Sequence, residues 1–219
     1  MGSLRMNRYE GAVAVLKHIG VFFLGGNGAG TTSDFLATGS LQWTQGPALP
    51  MPMVYFCAVP ISPTSFITIH KDKIHEFDAA IAGPTSDAGW RESTRWPALK
   101  TSRTNRPGCA KIGQKVIIAG GYNGGGLSST RVFDLVNRRI TSGGEMANPR
   151  RKFHINTIIS GGEEKMFALA GYDGTVDTEN TVDTVEEWVE ESSTWKAADN
   201  LVEKRNSFGA VLAPRHLVC

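Results

Sequence analysis

Arginine recurs in this chain just before each of several short apolar segments. The residues are Arg8, Arg103, Arg106, Arg150, Arg151 and Arg205. A guanidinium group presents parallel N–H donors that match the two oxygens of a carboxylate. If these arginines lie on one surface, the chemistry they offer is the binding of an acidic segment of another molecule. The sequence leaves a second interpretation open, in which each arginine bonds turn carbonyls or a carboxylate of its own chain.

Tyrosine, asparagine and aspartate follow glycines at matching places, and we expect them to reach the same surface. They are Asn27, Tyr122, Asn123, Tyr172 and Asp173. Tyrosine has a rigid amphipathic ring, and the asparagine amide carries both a hydrogen-bond donor and an acceptor, so both suit a recognition surface. The same residues also form turns whatever they contact. Binding and turn formation therefore remain alternatives for each of them.

These side chains depend on a repeated element of the sequence. Residues 116–124 and 166–174 are each a short apolar run that ends in a small pair, then Tyr, then Asn or Asp, then Gly, and 21–28 is a third copy. The small pairs include Gly25, Gly26, Gly120, Gly121 and Gly171. Glycine permits positive φ and leaves room for a close neighbour. We expect each pair to end a second strand, with an aromatic ring packed where no Cβ stands.

A second landmark measures the period of the repeat. An aromatic or apolar slot precedes Leu49, Leu99, Met146 and Leu201, which lie 50, 47 and 55 residues apart. The slot holds Trp43, Trp90, Ile140 and Trp195 in turn. Short β-rich runs bounded by turn residues predict strands, and no window shows a sustained helical period. Recurrence at this spacing predicts an array of one β-rich unit.

The ordered landmarks resemble the kelch repeat, including the aromatics Phe133 and Trp188 that follow Val or Glu. The resemblance implies an all-β, kelch-type β-propeller of about four four-stranded blades. It spans about 7–211 of a single predicted domain, 1–219, with blades at about 9–53, 54–103, 104–150 and 151–205 and an extra inner strand at 206–213. The second copy has decayed, since residues 66–71 hold no glycine pair.

The extra strand bears on closure of the ring. Residues 208–212 match the first inner strand at 11–15, and both would claim one slot in a four-bladed ring. We therefore predict an incomplete arc of a larger ring of about six blades. Open sheet faces and edges favour self-association.

Composition excludes several classes of function. The net charge of +2 supplies no global field for nucleic acid, and no stretch is apolar and long enough to span a membrane. Cys57, Cys109 and Cys219 are too few and scattered for a disulfide framework, so we expect buried thiols. With no Asn-x-Ser/Thr sequon, the chain is predicted to be cytoplasmic.

Three motifs that could carry other chemistry do not qualify. Residues 25–32 lack the Lys of a phosphate-binding loop, and the acidic residues of 173–183 lack the spacing of a calcium loop. The histidines show no His-x-His or His-x3-His pairing. We predict no catalytic residue, no metal and no cofactor.

The resemblance implies a protein-interaction module, a scaffold or adaptor that binds a protein or acidic peptide on the loop face. Kelch partners include actin and ubiquitin-ligase substrates, and neither nucleic acid nor membrane is expected. Two alternatives stay open: an enzyme acting on a sugar or other small molecule, and an inactive partial propeller. Fold analogy alone does not separate them.

Overall fold

A computed structural model describes residues 3–91, 105–174 and 180–208. The described chain is all-β, as predicted, and forms four antiparallel four-stranded sheets. Each sheet is a meander in which consecutive strands are neighbours, the construction of a propeller blade. The chain divides into two compact units, Met1–Asn105 with Asn137–Arg139, and Arg106–Val136 with Ile140–Cys219.

The first unit contains two blades. Blade 1 consists of β1 (Ala12–Leu16), β2 (Gly20–Leu24), β3 (Ser33–Ala37) and β4 (Thr44–Gln45). Blade 2 consists of β5 (Cys57–Pro60), β6 (Ser65–His70), β7 (Lys73–Asp78) and β8 (Trp90–Arg91). The glycine- and proline-containing loop before Trp90 holds a one-turn helix, α1 (Ala79–Ala82), and a 3-10 turn at Asp87–Gly89.

The second unit contains the other two blades. Blade 3 consists of β9 (Gly108–Ile112), β10 (Lys115–Ala119), β11 (Thr130–Asp134) and β12 (Arg139–Ser142). Blade 4 consists of β13 (His154–Ser160), β14 (Glu163–Asp173), β15 (Asn180–Val189) and β16 (Thr194–Ala198). Each of the four sheets lies inside one of the predicted repeats. Of the predicted extra strand, residues 206–208 are not in a strand, and the rest lies outside the described residues.

The glycine pairs of blades 1 and 3 end the second strands, as predicted, but the prediction was wrong for Gly171, because β14 continues through it to Asp173 with a register shift between Leu169 and Gly171. Gly25 and Gly26 have φ of 53° and 100°, and Gly120 and Gly121 have 61° and 102°. In blade 4 the first place is Ala170, which adopts the same left-handed backbone at φ 53°. These φ values lie in a region that non-glycine residues rarely adopt. The local turn therefore selects glycine at most of these places.

Close approach is the second reason for glycine. A Cβ on Gly120 would lie 2.6 Å from the carbonyl oxygen of Arg150 and 2.7 Å from the ring of Phe153. A Cβ on Gly25 would lie 2.6 Å from the carbonyl oxygen of Met53. The start of the next blade thus passes directly over the glycines, and its phenylalanine ring packs against them.

Aromatic side chains form the core of the first unit. Phe22 lies 4.8 Å from Phe35 and 5.2 Å from Phe66, measured between ring centroids. Phe77 and Trp90 continue the cluster with rings 5.2 Å apart. Phe22, Phe66 and Phe77 are completely buried, so blades 1 and 2 share one apolar core. Trp43, which the repeat placed in the same slot as Trp90, is half-buried beside β4.

The core of the second unit joins blades 3 and 4. Ile117, Ala119, Met166 and Ala168 are buried in it together with Trp188. Trp195 is half-buried, lies 5.2 Å from Trp188 in an edge-on contact, and donates its indole N–H to Thr130 Oγ1 at 2.9 Å. The repeated tryptophan of the outer strand therefore fastens blade 4 to the third strand of blade 3.

The expectation of buried thiols was wrong for two cysteines. Cys57, the first residue of β5, and Cys109, in β9, are both disulfide-bonded and half-buried. Sequence spacing could not reveal this, because disulfide formation depends on how strands far apart in sequence place their sulfur atoms. Cys219 lies outside the described residues.

Candidate functional site

Arg8 lies inside blade 1. Its side chain is fully buried, and Nη1 donates to the carbonyl oxygens of Gly25 at 3.2 Å and Thr32 at 2.9 Å. Nη2 donates to Asp34 Oδ2 at 2.9 Å and lies 3.4 Å from Thr32 Oγ1. The guanidinium thus ties the end of the second strand to the start of the third.

Arg150 repeats this arrangement atom for atom in blade 4. Nη1 donates to the carbonyl oxygens of Ala170 at 3.1 Å and Thr184 at 2.9 Å. Nη2 donates to Thr184 Oγ1 at 3.2 Å and to Glu186 Oε1 at 2.6 Å. Burial lowers the pKa of Arg150 below its usual value, while Glu186 opposes the shift. An arginine keeps its charge in such an environment, so the pair is ionic.

These contacts correct the prediction for two arginines. The side chains of Arg8 and Arg150 are both fully buried and bonded to their own blades. A guanidinium that is closed off in this way does not reach a partner on the surface. Arg8 and Arg150 are therefore structural braces, the second of the two interpretations that the sequence allowed.

A sequence signal could have identified the braces. Both braced blades carry Thr-x-Asp or Thr-x-Glu in or next to the third strand, at Thr32 to Asp34 and Thr184 to Glu186. The other blades have lost the arginine and the acid together. In blade 2 the two places hold Met53 and His75, and in blade 3 they hold Thr104 and Arg131. Neither of these blades keeps one partner of the pair without the other, which a buried ion pair demands because one partner alone would be an uncompensated charge.

The histidine that replaces the acid in blade 2 is buried beside a second one. His75 and His70 are 8% and 6% exposed, and His70 contacts the ring of Phe56 edge-on. Burial lowers the pKa of both histidines from 6.5, and nearby lysines, Lys71 for His70 and Lys73 for His75, act in the same direction. Both histidines are therefore neutral near pH 7. A neutral histidine suits blade 2, because Met53 stands there in place of the buried arginine.

Two pairs of a cation and an aromatic ring lie where the chain enters blade 4, and we call them together the blade-4 aromatic cluster: Arg151 with Tyr122, and Lys152 with Tyr172. The Arg151 guanidinium carbon lies 4.4 Å from the centroid of the Tyr122 ring. Lys152 Nζ lies 5.2 Å from the centroid of the Tyr172 ring. Cations over aromatic faces stabilise both groups and hold the rings in fixed positions.

Backbone bonds position this cluster. Arg151 and Tyr172 exchange two N–H···O bonds of 2.9 Å, an isolated antiparallel bridge. Lys152 follows in the left-handed region at φ 51°. Arg151 is buried at 3% exposure, whereas Tyr122, Lys152 and Tyr172 are half-buried. Arg151 therefore supports the Tyr122 ring from below, and the other three offer their surfaces to solvent.

Two polar residues flank the cluster. Asn123 is exposed, in a turn closed by its N–H bond to Gly125 O at 3.1 Å. Asp173 is half-buried, and its Oδ1 has no hydrogen-bond partner among the described residues. The cluster thus combines aromatic planes, a lysine and an amide, together with a carboxylate oxygen that remains an unused acceptor.

Blade 1 has a smaller counterpart. Tyr9 and Asn27 form the equivalent backbone bridge, and Asn27 Nδ2 donates to Tyr9 Oη at 2.6 Å. Tyr9 is 61% exposed. Here the asparagine occupies the place that Tyr172 has in blade 4, so the predicted residue Asn27 holds an exposed ring in position.

The remaining predicted residues separate into three cases. Arg205 is exposed, and its Nη2 lies 3.6 Å from Glu203 Oε2. Arg106 is half-buried with φ of 57°. Arg103 lies outside the described residues. The predicted site included neither Lys152 nor Tyr9, although Lys152 directly follows the bridged residue Arg151 and Tyr9 is itself bridged to Asn27.

The described ranges lack two other features of functional sites. No group of three or more His, Cys, Asp and Glu side chains there could hold a metal ion. Across the same residues, no helix has the length and apolar character needed to cross a membrane. A scan against protein-family models finds no match, and a search of curated proteins finds no significant relative.

Proposed function

We propose that this chain is a protein-interaction module that binds an acidic segment of another protein at the blade-4 aromatic cluster. The observation that carries the proposal is the pairing of Lys152 with Tyr172 and of Arg151 with Tyr122 at one place. Rings that are held rigidly lose little conformational freedom on binding, which is why tyrosine dominates many interaction surfaces.

The chemistry of the proposed partner follows from the exposed groups. Lys152 supplies a positive charge, Asn123 an amide, and Tyr122 and Tyr172 supply apolar surface with hydroxyl groups. A segment with one or two carboxylates beside an apolar residue would satisfy all of them. Arg151 acts as a positioning residue because it is buried beneath Tyr122.

The kelch resemblance supports an interaction role and a non-enzymatic one, and it suggests actin or a ubiquitin-ligase substrate as the kind of partner. It rests on repeat landmarks whose local geometry is now explained: the glycine pairs, the packed phenylalanines and the outer-strand tryptophan. The cytoplasmic location remains a prediction. The disulfide bonding of Cys57 and Cys109 argues against it, since disulfides rarely persist in a reducing compartment.

Binding of fluorescent peptides tests the proposal. We expect peptides rich in Glu and Asp to bind, their matched Gln and Asn versions to bind more weakly, and the affinity to fall as salt rises. Lys152→Ala with Tyr172→Ala should weaken binding at least about tenfold, the loss expected when central contacts are truncated. Lys17→Ala, an exposed lysine in the turn between β1 and β2, is the control and should bind normally.

Two outcomes would contradict the proposal. One is equal binding of the acidic and amide peptides by the folded protein. The other is normal affinity in the double variant, which would show that the cluster only closes turns.

A further inference from the structure

Within each unit, the second blade has one face that packs on the blade before it in sequence, and we call the corresponding face of any blade its leading face. In blade 2 this face includes Phe66 and Phe77, which are opposite each other in the β6–β7 register and completely buried against blade 1. In blade 4 the same register places Met166 opposite Trp188, which are 0% and 3% exposed against blade 3. A leading face is thus normally closed.

The leading face of blade 1 is open. The equivalent register places Val21 opposite Leu36, and both side chains are half-buried. Val13 and Val15, on the same face of β1, are 47% and 53% exposed, whereas Ile155, equivalent to Val13, is 5% exposed in blade 4. The residues are apolar although they are exposed, so this face has the composition of an interface and not of a solvated surface.

The opposite face of blade 4, its trailing face, is less buried by the described residues than the trailing face of blade 1. Phe167 and Leu169 are half-buried, while the equivalent residues of blade 1, Phe22 and Leu24, are completely buried by blade 2. Ile158 is half-buried where its equivalent, Leu16, is 1% exposed. Among the described residues, the leading face of blade 1 and the trailing face of blade 4 therefore both keep accessible apolar side chains, and the internal junctions show that faces of these two kinds fit each other.

We propose that the two faces join different copies of this chain, head to tail, with the trailing face of blade 4 seated on the leading face of blade 1 of a second copy. The junction between blades 1 and 2 supplies the geometry. There Phe22 of the trailing face packs 5.2 Å from Phe66 of the leading face. In the proposed junction Phe167 occupies the position equivalent to Phe22, and Val21 of the second copy occupies the position equivalent to Phe66. This contact is heterologous, so it builds rings or open chains.

A short segment controls access to the trailing face. Gly171 N–H bonds to the Arg205 carbonyl and Ser207 N–H to the Lys152 carbonyl, both at 2.9 Å. Internal junctions have the same bonds: Gly121 to Arg150, and Tyr55 to Glu10. Residues 205–207 therefore lie where the start of a following blade lies, and the second copy displaces them with its own residues 8–10. Consistent with this, Arg205 occupies the place of Arg8 and Arg150 but is exposed.

Sedimentation velocity over a range of concentrations tests the proposal. We expect the mass of the wild-type protein to rise above 23.7 kDa with concentration. Val15→Lys places a charge in the junction and should leave a monomer that melts at the wild-type temperature. Val136→Lys changes a valine that is 69% exposed in a turn, and it should associate like the wild-type protein.

A second variant tests the displaced segment. Ser207→Pro removes the N–H that bonds Lys152, and proline cannot adopt the positive φ of 52° found there. Freeing the trailing face should strengthen association several-fold.

Three results would overturn the proposal. They are a wild-type protein that is monomeric at all concentrations, association of Val15→Lys equal to that of the wild-type protein, and association of Ser207→Pro weaker than that of the wild-type protein. A lowered melting temperature of Val15→Lys without any change in mass would show instead that the face is covered within one molecule. Acidic-peptide binding by Val15→Lys should be normal, so this test is independent of the proposed function.

Discussion

Arg150 Nη2 lies 2.6 Å from Glu186 Oε1, with the two side chains 0% and 3% exposed. Glu186 also accepts the backbone N–H of Ala147 at 2.8 Å, so the carboxylate links the loop before blade 4 to its third strand. A charge that is removed from water in this way depends on its partner. The pair is therefore a point at which one substitution affects two blades of the second unit.

Replacing Arg150 with Ala should strongly destabilise the protein. It leaves the Glu186 carboxylate buried without its cation, and breaking such a pair costs about 3–5 kcal/mol. Chemical denaturation measures the free energy of unfolding. Arg205→Ala is the matched control, since this arginine occupies the equivalent place but is exposed, and its effect should stay within about 0.5 kcal/mol.

A double-mutant cycle separates the pair from its surroundings. Arg150→Met with Glu186→Leu removes both charges, as blade 2 has done naturally with Met53. We expect the double variant to be more stable than either single variant, because no uncompensated charge remains. Additive losses would show that the two side chains act independently.

Gly120→Ala should destabilise more than Gly124→Ala. Both glycines have positive φ, 61° and 77°, so alanine is strained at either place by about 1–2 kcal/mol. Only at Gly120 would the new Cβ also lie 2.6 Å from the Arg150 carbonyl oxygen, whereas the space around Gly124 is open. The difference between the two melting temperatures therefore measures the close approach alone. Equal shifts would contradict this account.

Trp195→Ala should cost about 3 kcal/mol, near the low end for a large buried aromatic side chain, because the ring is half-buried. Part of the loss is the hydrogen bond to Thr130 Oγ1. Thr130→Val removes that acceptor and keeps the shape, so it should cost about 1 kcal/mol. Thermal unfolding followed by tryptophan fluorescence measures both variants. A loss below that of Thr130→Val would mean that the ring contributes no packing energy.

The protein should lose stability as the pH falls below about 6.5. Burial lowers the pKa values of His70, His75 and His154 in the folded state, so the unfolded chain binds these protons first. The contribution of the neutral histidines to the free energy of unfolding is therefore fully present above the unfolded pKa of 6.5, and it declines as the pH falls towards the lower pKa values of the folded state. Each histidine contributes a slope of at most about 1.4 kcal/mol per pH unit.

Unfolding free energies between pH 7.5 and 5, a range above the ordinary titration of carboxylates at about pH 4, measure this dependence. His75→Gln should flatten the curve. A curve that is flat in the wild-type protein would show that the three histidines titrate alike in the folded and unfolded chain.

The sequence by itself determined the blades. Gly120 and Gly121 indicate a left-handed turn at the end of a strand. Only a few neighbouring residues decide this turn, because it depends on the positive φ that glycine permits. Trp188 and Trp195 share one hairpin, and their spacing sets their contact. Such local constraints recur at a fixed period, so four four-stranded units could be predicted without coordinates.

Only the tertiary structure decided what the arginines do. Arg8 and Arg205 stand at equivalent places in the sequence, yet one is buried and the other exposed. Each buried arginine has a carboxylate partner far away in the sequence. Asp34 is 26 residues from Arg8 and Glu186 is 36 residues from Arg150, and strand pairing brings each carboxylate close to its arginine. Whether a guanidinium meets its own chain or solvent depends on that distant partner, because the energy of a buried charge is set by the groups around it and not by its neighbours in sequence.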